Sequence, residues 1–138
     1  MGCIFCTDDQ IKKRIIVKNN LVFAFPTNIP VSTGHTLICP VRHVTNAHDL
    51  SKDELNALFE MASRLSESLK ETFGAEGFNY AWNEGESAGQ NVQHFHLHII
   101  PRKKDDGKEK TYISEKPKTS TEAELIEVAN IIRNYYDL

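Results

Sequence analysis

The chain has 138 residues, 40% apolar and 25% charged, with a formal net charge of −3. That length holds one domain with a core large enough to fold without disulfides or metal. The negative balance excludes a general attraction to nucleic acid or anionic membrane, so any phosphate contact falls to a few placed groups.

At the N-terminus, MGCIFCTDDQ lacks the apolar stretch of a secretory signal, and no segment of the chain reaches the length of a membrane span. Gly2 resembles a myristoylation site, but Cys6 stands where that motif requires Ser or Thr. Three cysteines, Cys3, Cys6 and Cys39, argue against a disulfide framework and for a reducing compartment, with the cytoplasm as the expectation. KRIIVKN and LVFAF read as strands meeting in a hairpin at Asn19-Asn20. TNIPVSTGH is a loop, and TLICP a strand stopped by Pro40. Ser51 opens a helix, with Glu54 completing a capping box. Leu55, Leu58, Phe59, Ala62, Leu65 and Leu69 form its apolar stripe, and Gly74 ends it. GFNYAWN is a further strand with Phe78, Tyr80 and Trp82 on one face. EGESAG is a loop leading to QHFHLHII. KKDDGKEK reads as a mobile, solvated excursion. A last helix starts at Thr121, with Glu124 again at capping-box spacing. The order is not a βαβα series, so the expectation is α+β, an antiparallel sheet of about five strands with two main helices packed on one side.

His94, His96 and His98 carry the strongest chemical signal. On a strand they share one face, about 7 Å apart at consecutive positions, while Phe95, Leu97 and Ile99 face the core. One flat strand cannot easily bring three imidazoles onto one tetrahedral ion, and three alternating histidines exceed what hydrogen bonding at a sheet edge requires. His35 and His43 lie at opposite ends of the 36–40 strand, so they belong to different sites. Cys3 and Cys6 have the C-x-x-C spacing that lets two thiolates grip one metal. Cys39, inside an apolar strand, reads as a buried hydrophobe. His43 and one end of the histidine run then remain to complete a Cys₂His₂ set; two packed thiols near a terminus are the plain alternative.

Taken together, GQNVQHFHLHIIPR, CIFC, GHTLICPVRHV and NEGESAGQ resemble the histidine triad (HIT) family, in its zinc-binding branch of bacterial and archaeal type. The resemblance covers most of the chain. It implies a nucleotide hydrolase or nucleotidyltransferase, usually a homodimer whose sheets join across the interface. By that resemblance His96 is the nucleophile and attacks the α-phosphorus of a bound nucleotide, and water resolves the nucleotidyl-histidine. His98 and His35 donate to phosphate oxygens, stabilising charge in the transition state. Gly85 and Gly89 allow the backbone close to phosphate, and Gln90 and Asn83 sit near the bridging oxygen and leaving group. Cys3, Cys6, His43 and His94 hold one structural zinc ion per chain. Phe5, Ile16, Phe23 and Phe25 are read as the wall of a base pocket, each with an equal reading as core.

Two positions depart from the family pattern. Thr27 stands where Asp or Asn holds the ribose hydroxyls, with Asn28 as the neighbouring alternative. Asn91 stands where Ser or Thr helps protonate the leaving group, and an amide donates a hydrogen bond without shuttling a proton. The leading expectation is a hydrolase of nucleoside phosphate anhydrides, esters or phosphoramidates, with a purine nucleotide as substrate. Nucleotidyl transfer and a nucleotide-binding scaffold are the alternatives. No P-loop sequence is present.

Overall fold

The computed structural model describes residues 3–107 and 119–137. Five antiparallel strands form one sheet in the order β1-β2-β3-β5-β4: β1 Val17–Lys18, β2 Val22–Pro26, β3 Thr36–Pro40, β4 Gly77–Ala81 and β5 Leu97–Arg102. The helices are α1 Ile4–Thr7, α2 Asp9–Lys13, α3 Lys52–Phe73 and α4 Glu122–Tyr136. The hairpin between β1 and β2 turns at Asn19, whose side-chain oxygen accepts from the N–H groups of Leu21 and Val22, both at 2.9 Å. That local bond is why asparagine marks the turn.

Period-two alternation distributes the strand residues between two cores. Val22, Ala24 and Ile38 join Leu97 and Ile99 against α3 and α4. Phe23, Phe25, Leu37 and Cys39 face the opposite side, where Ile11, Phe5 and Ile15 cover them. Strands β2 and β3 are therefore buried on both faces, and the expectation of helices on one side holds only for the two long ones. Both capping boxes form, at Ser51 with Glu54 and at Thr121 with Glu124. Gly74 closes α3 in the left-handed region at φ 68°. Leu65 and Leu69 of α3 are fully buried, worth about 1.5–3 kcal/mol each. Leu55 and Phe59, placed on the same stripe from sequence, are instead 36% and 54% exposed.

Three further differences bear on the site. KRIIVKN is not one strand: Asp8 caps α2 by accepting from the Gln10 N–H at 2.8 Å, and Arg14 ends it. Only Val17–Lys18 pairs with β2. The Asp8–Asp9 pair carried that helix-start signal, and the β-branched run masked it. QHFHLHII is not one strand either, since β5 begins at Leu97 and leaves His94 in a bend and His96 in the irregular segment before it. Of the polar excursion, residues 108–110 lie outside the described residues. Its described part folds back, with Asp106 paired to Arg102 at 2.9 Å.

Candidate active site

A cavity of about 280 Å³ opens beside the second core, that of Ile11, Phe25 and Leu37, between α1, α2, the 27–29 loop and the histidine segment. His96 and His98 line it, as do Thr27, Asn28, Asn83, Gly89 and Asn91. Seven residues singled out from the sequence thus converge on one space. Phe5 and Phe25 form part of its apolar wall. Ile16 belongs to the core under α3 and α4, and Phe23 faces the second core away from the lining. Sequence reasoning missed Asp8, Ile11 and Arg14, because no helix was expected over Asp9–Lys13 and Arg14 was placed in a strand.

His35 and Gln90 stand one layer behind the lining. Gly34, at φ 92°, has space for no Cβ: an added carbon would lie 3.0 Å from a Leu69 methyl. Glycine there lets the chain enter β3 with His35 buried against His98. The Val31 N–H donates to His35 Nδ1 at 2.9 Å, which fixes that nitrogen as an acceptor. The His35 proton is therefore on Nε2, 2.9 Å from His98 Nδ1, and His98 carries its own proton on Nε2. Gln90 is only 4% exposed. Its carbonyl accepts from the Gly85 N–H at 2.8 Å and its amide donates to the Thr45 carbonyl at 2.9 Å, so it ties the glycine loop to the 45–47 segment.

His96 is set by a different backbone group. Its Nδ1 lies 2.8 Å from the His94 carbonyl, which can only accept, so Nδ1 is the protonated nitrogen and Nε2 keeps its lone pair. Phe5 packs edge-on against the ring, with centroids 5.1 Å apart. Burial lowers the His96 pKa despite the carbonyl bond, and it lowers His35 to about 3 and His98 to about 2, with neighbouring imidazoles adding to both. All three rings are neutral near pH 7.

His94 points the other way. Its Nε2 donates to the Pro40 carbonyl at 2.8 Å, leaving the Nδ1 lone pair toward Cys3, Cys6 and His43. Nδ1 lies 3.4 Å from each sulfur and 3.2 Å from His43 Nδ1, and Cys6 Sγ lies 3.7 Å from His43 Nδ1. All four ligand atoms fall within 4.8 Å of one another. A tetrahedral zinc centre sets N···S edges of roughly 3.5 Å and N···N edges of roughly 3.3 Å. The observed separations match those edges, and three neighbours crowd one lone pair, as ligands around a cation do. The donor set fits a metal ion, with His94 oriented by its bond to the Pro40 carbonyl. His35 and His43 indeed belong to separate sites.

The HIT domain pattern matches residues 8–105 of the chain. The chain belongs to the HIT family. A bis(5'-adenosyl)-triphosphatase of Dictyostelium discoideum is 42% identical over 95 residues, 69% of this chain and 64% of that protein. The chain thus spans less than two thirds of that relative. The adenosine 5'-monophosphoramidase hnt1 of Schizosaccharomyces pombe is 31% identical, over 77% of this chain and 78% of that one. Among solved structures, a hypothetical histidine triad nucleotide-binding protein from Sulfolobus tokodaii superposes with a TM-score of 0.81 at 30% identity, covering 98% of this HIT chain and 92% of the other. The two curated relatives are named as hydrolases of adenosine compounds, and the Sulfolobus tokodaii structure shares the fold.

Proposed function

We propose that this HIT protein is a nucleotide hydrolase that cleaves nucleoside phosphate anhydrides, esters or phosphoramidates through a nucleotidyl-His96 intermediate. The observation that carries the reading is the His96 tautomer: Nδ1–H is engaged by the His94 carbonyl, and the ring lining the cavity keeps a lone pair on Nε2. Nε2 attacks the α-phosphorus, a P–N bond forms, and the bond to the leaving group breaks with its electron pair on the departing atom. Water then attacks phosphorus, the P–N bond breaks, and His96 recovers its lone pair while the mononucleotide leaves. The His98 Nε2–H, its tautomer set through His35 by the Val31 amide, donates to a phosphate oxygen as charge develops. Thr27 and Asn28 take the ribose, Asn83 and Asn91 the leaving side, and Gly89, at φ 93°, brings backbone close to phosphate. Gln90 contributes by holding the loop that carries Gly85 and Gly89.

Cys3, Cys6, His43 and His94 would hold zinc. With four protein ligands and no open position, it would supply structure, tying α1 to the sheet. A homodimer is part of the same reading. Among the described strands β4 lies at the sheet edge; Tyr80 on it and Trp82 just after it are 50% and 43% exposed, and Leu55 and Phe59 of α3 are exposed too. An apolar sheet edge of this kind favours pairing with a second copy. The unpaired thiols fit a reducing compartment, taken as the cytoplasm.

The test is a panel of dinucleoside polyphosphates, nucleoside phosphoramidates and sugar nucleotides, with products resolved by chromatography. Release of a mononucleotide, abolished in His96→Asn, is the expected result. No release from any member leaves a binding protein instead, and accumulation of a transfer product with added phosphate favours a nucleotidyltransferase.

A further inference from the structure

Beyond the phosphate chemistry, α2 turns an unusual face to the cavity. Asp8, Ile11 and Arg14 recur at three-residue steps and all line it. Ile11 is buried, and Arg14 is only 4% exposed. The Arg14 guanidinium is held rigidly: Nε donates to the Pro26 carbonyl at 3.0 Å, and Nη1 spans both carboxylate oxygens of Glu122 at 3.0 and 3.2 Å. It also lies 5.7 Å over the Phe25 ring. These anchors leave the Nη2 amino group, which has no acceptor among the described residues. Arg14 lines the cavity, and its Nη2 is not fully buried. A charged donor without a protein acceptor gains from a ligand atom that accepts from it.

Asp8 is the complement. One carboxylate oxygen accepts from the Gln10 N–H at 2.8 Å as the cap of α2, and the other has no partner among the described residues. The six-residue rise between Asp8 and Arg14 is about 9 Å along a helix, enough for a fused-ring base hydrogen-bonded at both edges. This face is remote from the reacting phosphorus, because two aromatic rings intervene. His96 to Phe5, Phe5 to Phe25 and Phe25 to Arg14 are steps of 5.1, 5.4 and 5.7 Å. Glu122, which locks Arg14, belongs to α4 and lies outside the 8–105 segment that matches the family.

We propose that Asp8 and Arg14 read the base of the nucleotide, an inference that rests on the nucleotide site above. The free Asp8 oxygen accepts from an exocyclic amino group at one edge of a purine, and Arg14 Nη2 donates to a ring nitrogen or carbonyl at the other. An amino-substituted purine is selected over one that presents a carbonyl oxygen to Asp8. A hydrogen bond to a charged group sets the expected discrimination at roughly ten- to a hundredfold.

Calorimetric titration of metal-replete protein with AMP, IMP and UMP tests this. Wild type is expected to bind AMP tightest, with IMP weaker by that factor. Asp8→Asn retains the capping oxygen but replaces the cavity-facing acceptor with a donor, so the AMP:IMP preference collapses or inverts. Arg14→Met weakens both purine nucleotides; Arg14→Lys, which keeps the charge without the rigid fork, serves if the methionine variant melts early. Equal binding of AMP and IMP by wild type, or an unchanged ratio in Asp8→Asn, overturns the base-reading proposal and leaves the hydrolase standing. Failure of wild type to bind all three overturns the nucleotide site itself, and this proposal with it.

Discussion

His94 and His96 are two residues apart and have opposite chemistry. In His94 a carbonyl holds Nε2–H and Nδ1 faces Cys3, Cys6 and His43; in His96 a carbonyl holds Nδ1–H and Nε2 faces the cavity. Neither arrangement is a property of the imidazole alone. The backbone oxygen each ring meets selects its tautomer, and the tautomer decides whether the lone pair faces the thiol cluster or the cavity. The two ends are also joined, since the carbonyl that orients His96 belongs to His94 itself.

The sharpest way to break this comparison is at the nucleophile. His96→Asn should lower turnover by about 10⁴-fold or more, the scale seen when a covalent nucleophile is lost, while the Kd for AMP in calorimetry stays near wild type. A drop in binding equal to the drop in rate would return His96 to the role of ligand-binding residue. Metal removal acts on the other end. α1 buries none of its own residues, yet it carries Phe5 and Ile4 of the cavity wall. Chelation should therefore raise KM about tenfold or more, the value of losing one aromatic wall, with a smaller change in kcat and recovery on adding zinc. Metal analysis of protein purified without chelator should give one ion per chain; readily alkylated Cys3 and Cys6 in such protein would remove the cluster from the account.

Acid acts on the buried histidine pair behind the cavity. His35 and His98 have folded pKa values of about 3 and about 2, below the ordinary 6.5, so protonation favours the unfolded chain. Their contribution is intact above pH 6.5 and is lost as the pH falls toward about 3, at up to about 1.4 kcal/mol per histidine per unit. Urea melts at pH 7, 6 and 5 should record this, and His98→Asn should flatten the slope. Smallest is a change remote from both ends. Ser51→Ala removes a cap of α3 and should cost about 1 kcal/mol in urea unfolding, with kcat/KM unchanged.

Much of the fold was legible because its signals are local. Both capping boxes, the Gly74 stop, the Asn19 turn and the β2 and β3 segments depend on neighbours a few residues away. The Cys3, Cys6, His43 and His94 cluster was legible in part: the C-x-x-C spacing called for two further partners with His43 among them, and the family resemblance named His94. The missed helix at Asp9–Lys13 shows the limit: the strand expectation began at Lys13, and whether the Asp8 cap starts a helix before it depends on the apolar surface of β2 and β3 that Ile11 covers. Gln90 shows another limit, since its partners Gly85 and Thr45 are known only once two loops meet.

The sequence by itself determined the antiparallel α+β plan, the two long helices and the residues able to do chemistry, because period, caps and side-chain type are written along the chain. Tertiary structure alone decided which nitrogen of each histidine carries the proton, that β5 starts after His96, and that Asp8 and Arg14 face the cavity. Each of these depends on a backbone carbonyl, amide or apolar surface brought from a distant part of the chain, and no local pattern encodes that meeting.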